Sequence, residues 1–78
     1  MSYCFIQSEH GFRKHFGTVL KKRRRELSMS RVTLGDLIQC SESSISNWEN
    51  FTSVPIMYTF YKLCVELEIN PSEFFPKD

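Results

Sequence analysis

Cysteine, glycine and proline occur only three times each in 78 residues, and tryptophan once. Cys4, Cys40 and Cys64 lie far apart without a CxxC spacing, which supports neither a disulfide framework nor a zinc site. His10 and His15 stand five apart and do not share a helix face as ligands, so neither a metal nor another cofactor is expected. Three glycines could scarcely build a phosphate-cradling loop, and no nucleophile–base pair or carboxylate dyad stands out, so an enzyme is not expected. No apolar run approaches the roughly 20 residues of a membrane span. No basic start followed by an apolar stretch marks a secretory signal, and a cytoplasmic protein without membrane contact is expected.

Core-forming side chains are plentiful. Apolar residues make up 41% and aromatic residues 14% of the chain, with seven Phe, enough for one folded domain over residues 1–78. The net charge of +1 conceals a segregation. Residues 11–31 hold eight basic groups against Glu26, a balance of +7, and residues 32–78 hold two lysines against seven acids, a balance of −5. Such asymmetry suggests one face for a polyanion. The run KKRRR alone is weak evidence: a solvated helix face is its commonest explanation, and a nuclear-localisation signal is another reading.

Helical spacing recurs along most of the chain. Residues 1–10 lack periodicity and read as an arm. Phe12, Phe16, Leu20 and Leu27 predict a first helix over 11–27. Ser30 suits the N-cap of a second helix carrying Leu34, Leu37 and Ile38, with Gly35 placed where another backbone could approach. Ser41 caps a third, short helix whose inward edge is Ile45, Trp48 and Glu49. Pro55 suits the first turn of a fourth helix reaching about Leu67, and Asn70-Pro71-Ser72-Glu73 reads as a capping box for a fifth. No stretch alternates with period two for long enough to make a strand. The expected fold is all-α with five helices over 11–76.

The segment SESSISNWEN, residues 41–50, is polar except for Ile45 and Trp48 three apart. With a small residue at 35, Ile38 and a turn over 39–41, it describes two short helices crossing at a tight bend. Over residues 12–76 the chain resembles the Cro and phage-repressor type of helix-turn-helix, the XRE family, which includes restriction–modification controller proteins. The resemblance implies a five-helix, lambda-repressor-like domain with its helix-turn-helix at 31–50. Phe16, Leu20, Leu27, Met29, Leu34, Ile38, Ile45, Phe60, Leu63 and Leu67 occupy the family's apolar core positions. Arg24 and Glu49 stand where the family often carries an ion pair, and the inward place of Glu49 independently asks for a cationic partner.

The resemblance further implies a transcriptional regulator that binds double-stranded DNA as a homodimer on a two-fold symmetric operator, in a bacterial, phage or plasmid setting. The helix over 41–50 would lie in the major groove, with Glu42, Ser43, Ser46 and Asn47 reading bases. Arg31, Ser41 and Asn50, and from the first helix Lys21, Lys22, Arg24 and Arg25, are candidates for phosphate contacts, although one helix cannot turn all four of its cations to one surface. The fourth helix is apolar over more than one core-facing stripe, so Ile56, Tyr58, Tyr61, Val65, Ile69, Phe74 and Phe75 are expected at a dimer interface.

The sequence departs from the family at three places. Gly35 replaces a usual Ala, which the small size of both makes tolerable. Gln39 replaces a common Gly, which predicts a non-glycine residue in the left-handed region at a cost of about 1–2 kcal/mol. Phe51 replaces the usual helix-ending Gly, and ENFTSVP carries no Lys or Arg to grip phosphate, so weak binding by a monomer is expected. The rival reading is a protein-interaction module of the same fold, of antitoxin or anti-regulator type, whose partner is a second regulatory protein or a toxin.

Overall fold

The computed structural model describes residues 8–76. Four α-helices follow in order: α1 (Glu9–Glu26), α2 (Arg31–Ile38), α3 (Glu42–Glu49) and α4 (Met57–Leu67). A single 3-10 turn, Pro71–Phe74, ends the described chain, and there is no strand among the described residues. The all-helical expectation holds, but the count is four α-helices rather than five. Asn70 Oδ1 accepts from the Ser72 N–H at 3.0 Å, so the cap forms, yet the chain turns only once before Phe75 resumes an extended conformation. That one turn suffices to insert the Phe74 ring against Phe16 and Phe60, at centroid distances of 4.7 and 5.4 Å.

Helix starts follow side-chain caps. The Ser8, Ser30 and Ser41 hydroxyls accept from the N–H groups of Gly11, Thr33 and Ser44 at 3.0 to 3.1 Å, each satisfying a donor left over in the first turn. The Ser8 cap starts α1 at Glu9, two residues earlier than the apolar spacing suggests, so residues 8–10 of the expected arm do not behave as one; the rest of the arm lies outside the described residues. Conversely, α4 starts two residues after Pro55, because Ile56 is still extended at its N-cap.

Helix ends are unusual in composition. Each helix closes with a six-residue main-chain loop: Met29 N–H to Arg24, Cys40 to Gly35, Thr52 to Asn47 and Ile69 to Cys64, with N···O distances of 2.8 to 3.1 Å. This geometry needs a left-handed residue, ordinarily glycine. Here Ser28, Gln39, Phe51 and Glu68 take it, at φ 52 to 69°. Gln39 thus sits as its sequence position predicts, at a cost of about 1–2 kcal/mol relative to an unstrained residue.

Two glycines instead serve close packing inside helices. A Cβ on Gly17 would collide with the Trp48 carbonyl oxygen where α1 crosses α3. A Cβ on Gly35 would lie 2.5 Å from the Cys40 carbonyl oxygen, so the backbone that approaches this glycine is that of the turn itself.

Phe16, Leu20, Leu34, Ile38, Ile45, Leu63, Leu67 and Phe74 form a fully buried core to which every element contributes. Leu27, expected at a core position, is exposed, and so is Leu37, one of the apolar residues on the helical period of α2. Leu27 is the C-cap of α1, beyond its last helical residue, and Leu37 falls on the outer face of a helix only eight residues long. No helix among the described residues is long and apolar enough to cross a membrane.

Candidate nucleic-acid interface

The fold fixes α3 by one edge. Ile45, Trp48 and Glu49 are buried, while Glu42, Ser43 and Asn47 are exposed and Ser46 is half-buried. The outer face therefore presents short hydroxyl, amide and carboxylate groups, of a size that a groove about 12 Å wide could admit. Part of that hydrogen-bonding capacity is used internally. Ser41 Oγ caps α3 and lies 3.1 Å from Ser44 Oγ, and the Asn50 amide donates to Ser46 Oγ at 3.2 Å. Glu42, Ser43 and the Asn47 side chain make no hydrogen bond among the described residues, which leaves them available to a ligand.

The far end of α3 is anchored by charge. Arg24 meets Glu49 through two parallel bonds, Nε to Oε2 at 2.7 Å and Nη2 to Oε1 at 3.0 Å, and its Nη1 donates to the Met29 carbonyl at 2.7 Å. Arg31, the first residue of α2, adds a bond from Nε to Glu49 Oε1 at 3.1 Å. The Glu49 side chain is 0% exposed and that of Arg24 is 9%. Burial alone would raise the Glu49 carboxyl, but the hydrogen bonds and charges of Arg24 and Arg31 outweigh it and hold the group below its ordinary value of 4.5. One carboxylate thereby ties together the C-terminal part of α1, the start of α2 and the end of α3.

This arrangement divides the basic run. Arg24 is buried in the pair and is withdrawn from the phosphate candidates. Arg23 Nε donates to the Leu67 carbonyl at 2.8 Å, closing the end of α4, and Arg13 Nε does the same for Phe51 after α3 at 3.1 Å. Neither role has a signal in the sequence, since the acceptors are main-chain carbonyls brought near by folding. Lys21, Lys22 and Arg25 turn to one side of α1, where they line an open groove of about 640 Å³ together with Gly17, Thr18, Glu26, Glu49 and Phe51. None of the three joins an ion pair among the described residues.

The expected interface residues separate into two groups. Ile56, Tyr58, Tyr61, Val65 and Phe75 are exposed, with Ile56 at 73% and the neighbouring Met57 at 80%. The Tyr58 and Tyr61 rings stack at 6.4 Å, and the Lys62 ammonium sits 4.7 Å over Tyr58. Ile69 and Phe74 are buried in the core and are corrected out of the set: the turn after α4 folds them inward.

No protein-family model matches the sequence, and no curated protein matches it. Solved structures do. The chain is similar to an HTH_3 family transcriptional regulator from Vibrio cholerae, with a TM-score of 0.77 and 24% identity over 86% of this chain and 38% of that one. It is similar to the restriction-modification controller protein C.AhdI from Aeromonas hydrophila, with a TM-score of 0.74 and 27% identity over 81% of this chain and 96% of that one. It also shares its fold with part of the hydroxypropylphosphonic acid epoxidase from S. wedmorenis, at a TM-score of 0.74 and 20% identity, over 34% of that enzyme's chain. The chain has the fold of a helix-turn-helix domain of the XRE type, with α2 and α3 as its two crossing helices.

Proposed function

We propose that the chain is a sequence-specific, double-stranded DNA-binding transcriptional regulator that acts as a homodimer, with α3 in the major groove. The observation that carries this reading is the posture of α3: a buried edge pinned by Glu49, and an outward face whose Glu42, Ser43 and Asn47 side chains lack partners among the described residues. Glu42, Ser43, Ser46 and Asn47 read base edges, while Arg31, Ser41 and Asn50, with Lys21, Lys22 and Arg25 on the flank, meet phosphates. The exposed apolar side of α4 supports pairing of two copies, which would set two recognition helices about 34 Å apart on one side of the duplex. The similarity to two bacterial regulators favours a cytoplasmic protein of bacterial, phage or plasmid origin.

Selection of bound duplexes from a random pool tests the proposal. Enrichment of a two-fold symmetric site supports it, and failure to enrich any duplex rejects it.

One observation favours a second reading. Asp36 and Glu42 are exposed on α2 and α3, where Arg31 is the single cation and is already tied to Glu49. A protein-interaction module with an exposed α4 and a poorly cationic helix-turn-helix face would look the same. Failure of selection together with a stable hetero-complex would establish that alternative.

A further inference from the structure

Arg31 is held on one edge only. Its Nε donates to Glu49 Oε1 at 3.1 Å, whereas Nη1 and Nη2 have no partner among the described residues and the side chain is 33% exposed. A guanidinium is planar, so a bond at Nε fixes the plane in which the two Nη groups lie. Glu49 itself cannot move to follow Arg31, because Arg24 grips both of its oxygens and Arg24 is in turn bonded to the Met29 carbonyl. A long side chain at the first position of α2 would otherwise sample many rotamers and lose them on binding, a cost on the order of 0.5–1.5 kcal/mol per side chain.

We propose that Glu49 is a positioning residue for DNA binding: from the end of the recognition helix it pre-orients the Arg31 guanidinium so that both Nη groups face one strand phosphate as a fork. This inference rests on the DNA-binding reading. It assigns Glu49 a task beyond holding α1 to α3, and it gives one phosphate clamp a fixed distance from the base-reading face. The chain lacks cations between Glu49 and Tyr61, so a single well-aimed clamp at the start of α2 carries more of the grip than it would beside a basic loop.

The test uses the full chain and a duplex enriched by selection, with binding measured across a salt series. Arg31→Lys keeps the charge and leaves the Arg24–Glu49 pair in place, so the domain should fold normally. A lysine cannot present a planar fork. The expected result is a loss of about tenfold in affinity with an unchanged salt slope, since one charge-assisted bond and its alignment go while the counterion release stays. In a Glu49→Gln background the same Arg31→Lys change should cost less than about twofold, because the orientation is already lost. Arg31→Lys binding as tightly as the wild type overturns the proposal, as does an equal loss in both backgrounds. Should Glu49→Gln fail to fold, the comparison of Arg31→Lys with Arg31→Ala across the salt series decides: a Lys variant about tenfold weaker than the wild type at the wild-type slope, beside an Ala variant of reduced slope, supports the fork, and a Lys variant equal to the wild type rejects it. The absence of any enriched duplex is a different failure, which removes the DNA reading and with it the phosphate that Arg31 would meet.

Discussion

Replacing Glu49 by Ala should be among the most damaging single changes in this domain. The carboxylate receives three charge-assisted hydrogen bonds, two from Arg24 and one from Arg31, and its side chain is 0% exposed. Its loss leaves the Arg24 guanidinium, 9% exposed, without a counter-charge in the interior. Breaking a buried pair from one side costs on the order of 3–5 kcal/mol. For a domain of this size that corresponds to a fall in Tm of roughly 12 °C or more. Glu66→Ala provides the control, because Glu66 is half-buried on α4 and joins no ion pair among the described residues; its effect should stay within about 0.5 kcal/mol. Thermal unfolding followed by circular dichroism distinguishes the two. Equal Tm values would mean that solvent, not burial, sets the worth of the pair. The same carboxylate gives the effect a pH signature. Its folded-state value lies below the ordinary 4.5, so its stabilisation is complete above about pH 4.5 and is lost as pH falls through the lowered value. The stability gap between wild type and Glu49→Ala should therefore narrow in acid, and a gap that widened there would contradict the assignment.

Other changes test other parts of the molecule. Glu68→Gly, at a left-handed and exposed helix end, should raise stability by about 1 kcal/mol in urea unfolding, whereas Gly17→Ala should lower it by about 1–3 kcal/mol by driving a methyl into the Trp48 carbonyl. Tyr58→Asp with Tyr61→Asp should leave the fold intact and convert the expected dimer to monomer in sedimentation; an unchanged mass would place the interface elsewhere. Arg31→Ala should weaken all duplexes alike and reduce the salt slope by about one unit. Cys64 is buried and burial pushes its thiol up, so it should label with a thiol reagent only on unfolding, unlike the partly exposed Cys40.

The helix-turn-helix was legible because its determinants are local. Ser30 and Ser41 announce helix starts, and the spacing of Ile45, Trp48 and Glu49 identifies the buried edge of α3. The inward place of Glu49 asks for a cationic partner, because an unpaired buried carboxylate is costly, while the choice of Arg24 among the basic residues rests on the family resemblance. What stayed hidden depends on where the backbone goes. Arg13 and Arg23 bond to carbonyls 38 and 44 residues away, and such acceptors carry no residue-type signal. The second partner of Glu49, Arg31, was likewise invisible, since the start of α2 and the end of α3 meet only after the turn closes. Apolar residues after α4 were misassigned because hydrophobicity marks burial without saying whether the partner is the same chain or another copy. Ile69 and Phe74 lie in the core.

The proposed base-reading role of α3 is tested most directly by Glu42, the first residue of the helix, whose side chain has no hydrogen-bond partner among the described residues. Near DNA a carboxylate is tolerated where it meets a donor, chiefly the cytosine amino group or adenine N6 in the major groove. Duplexes selected from one random pool by the wild type and by Glu42→Gln should be sequenced side by side. Glu42→Gln should relax or shift the preference at one position in each half-site, by about 1–3 kcal/mol, and leave the other positions unchanged. Identical motifs with uniformly tighter binding by the Gln variant would show that Glu42 is only a repulsive charge beside the phosphates, and that α3 does not read DNA through its first turn.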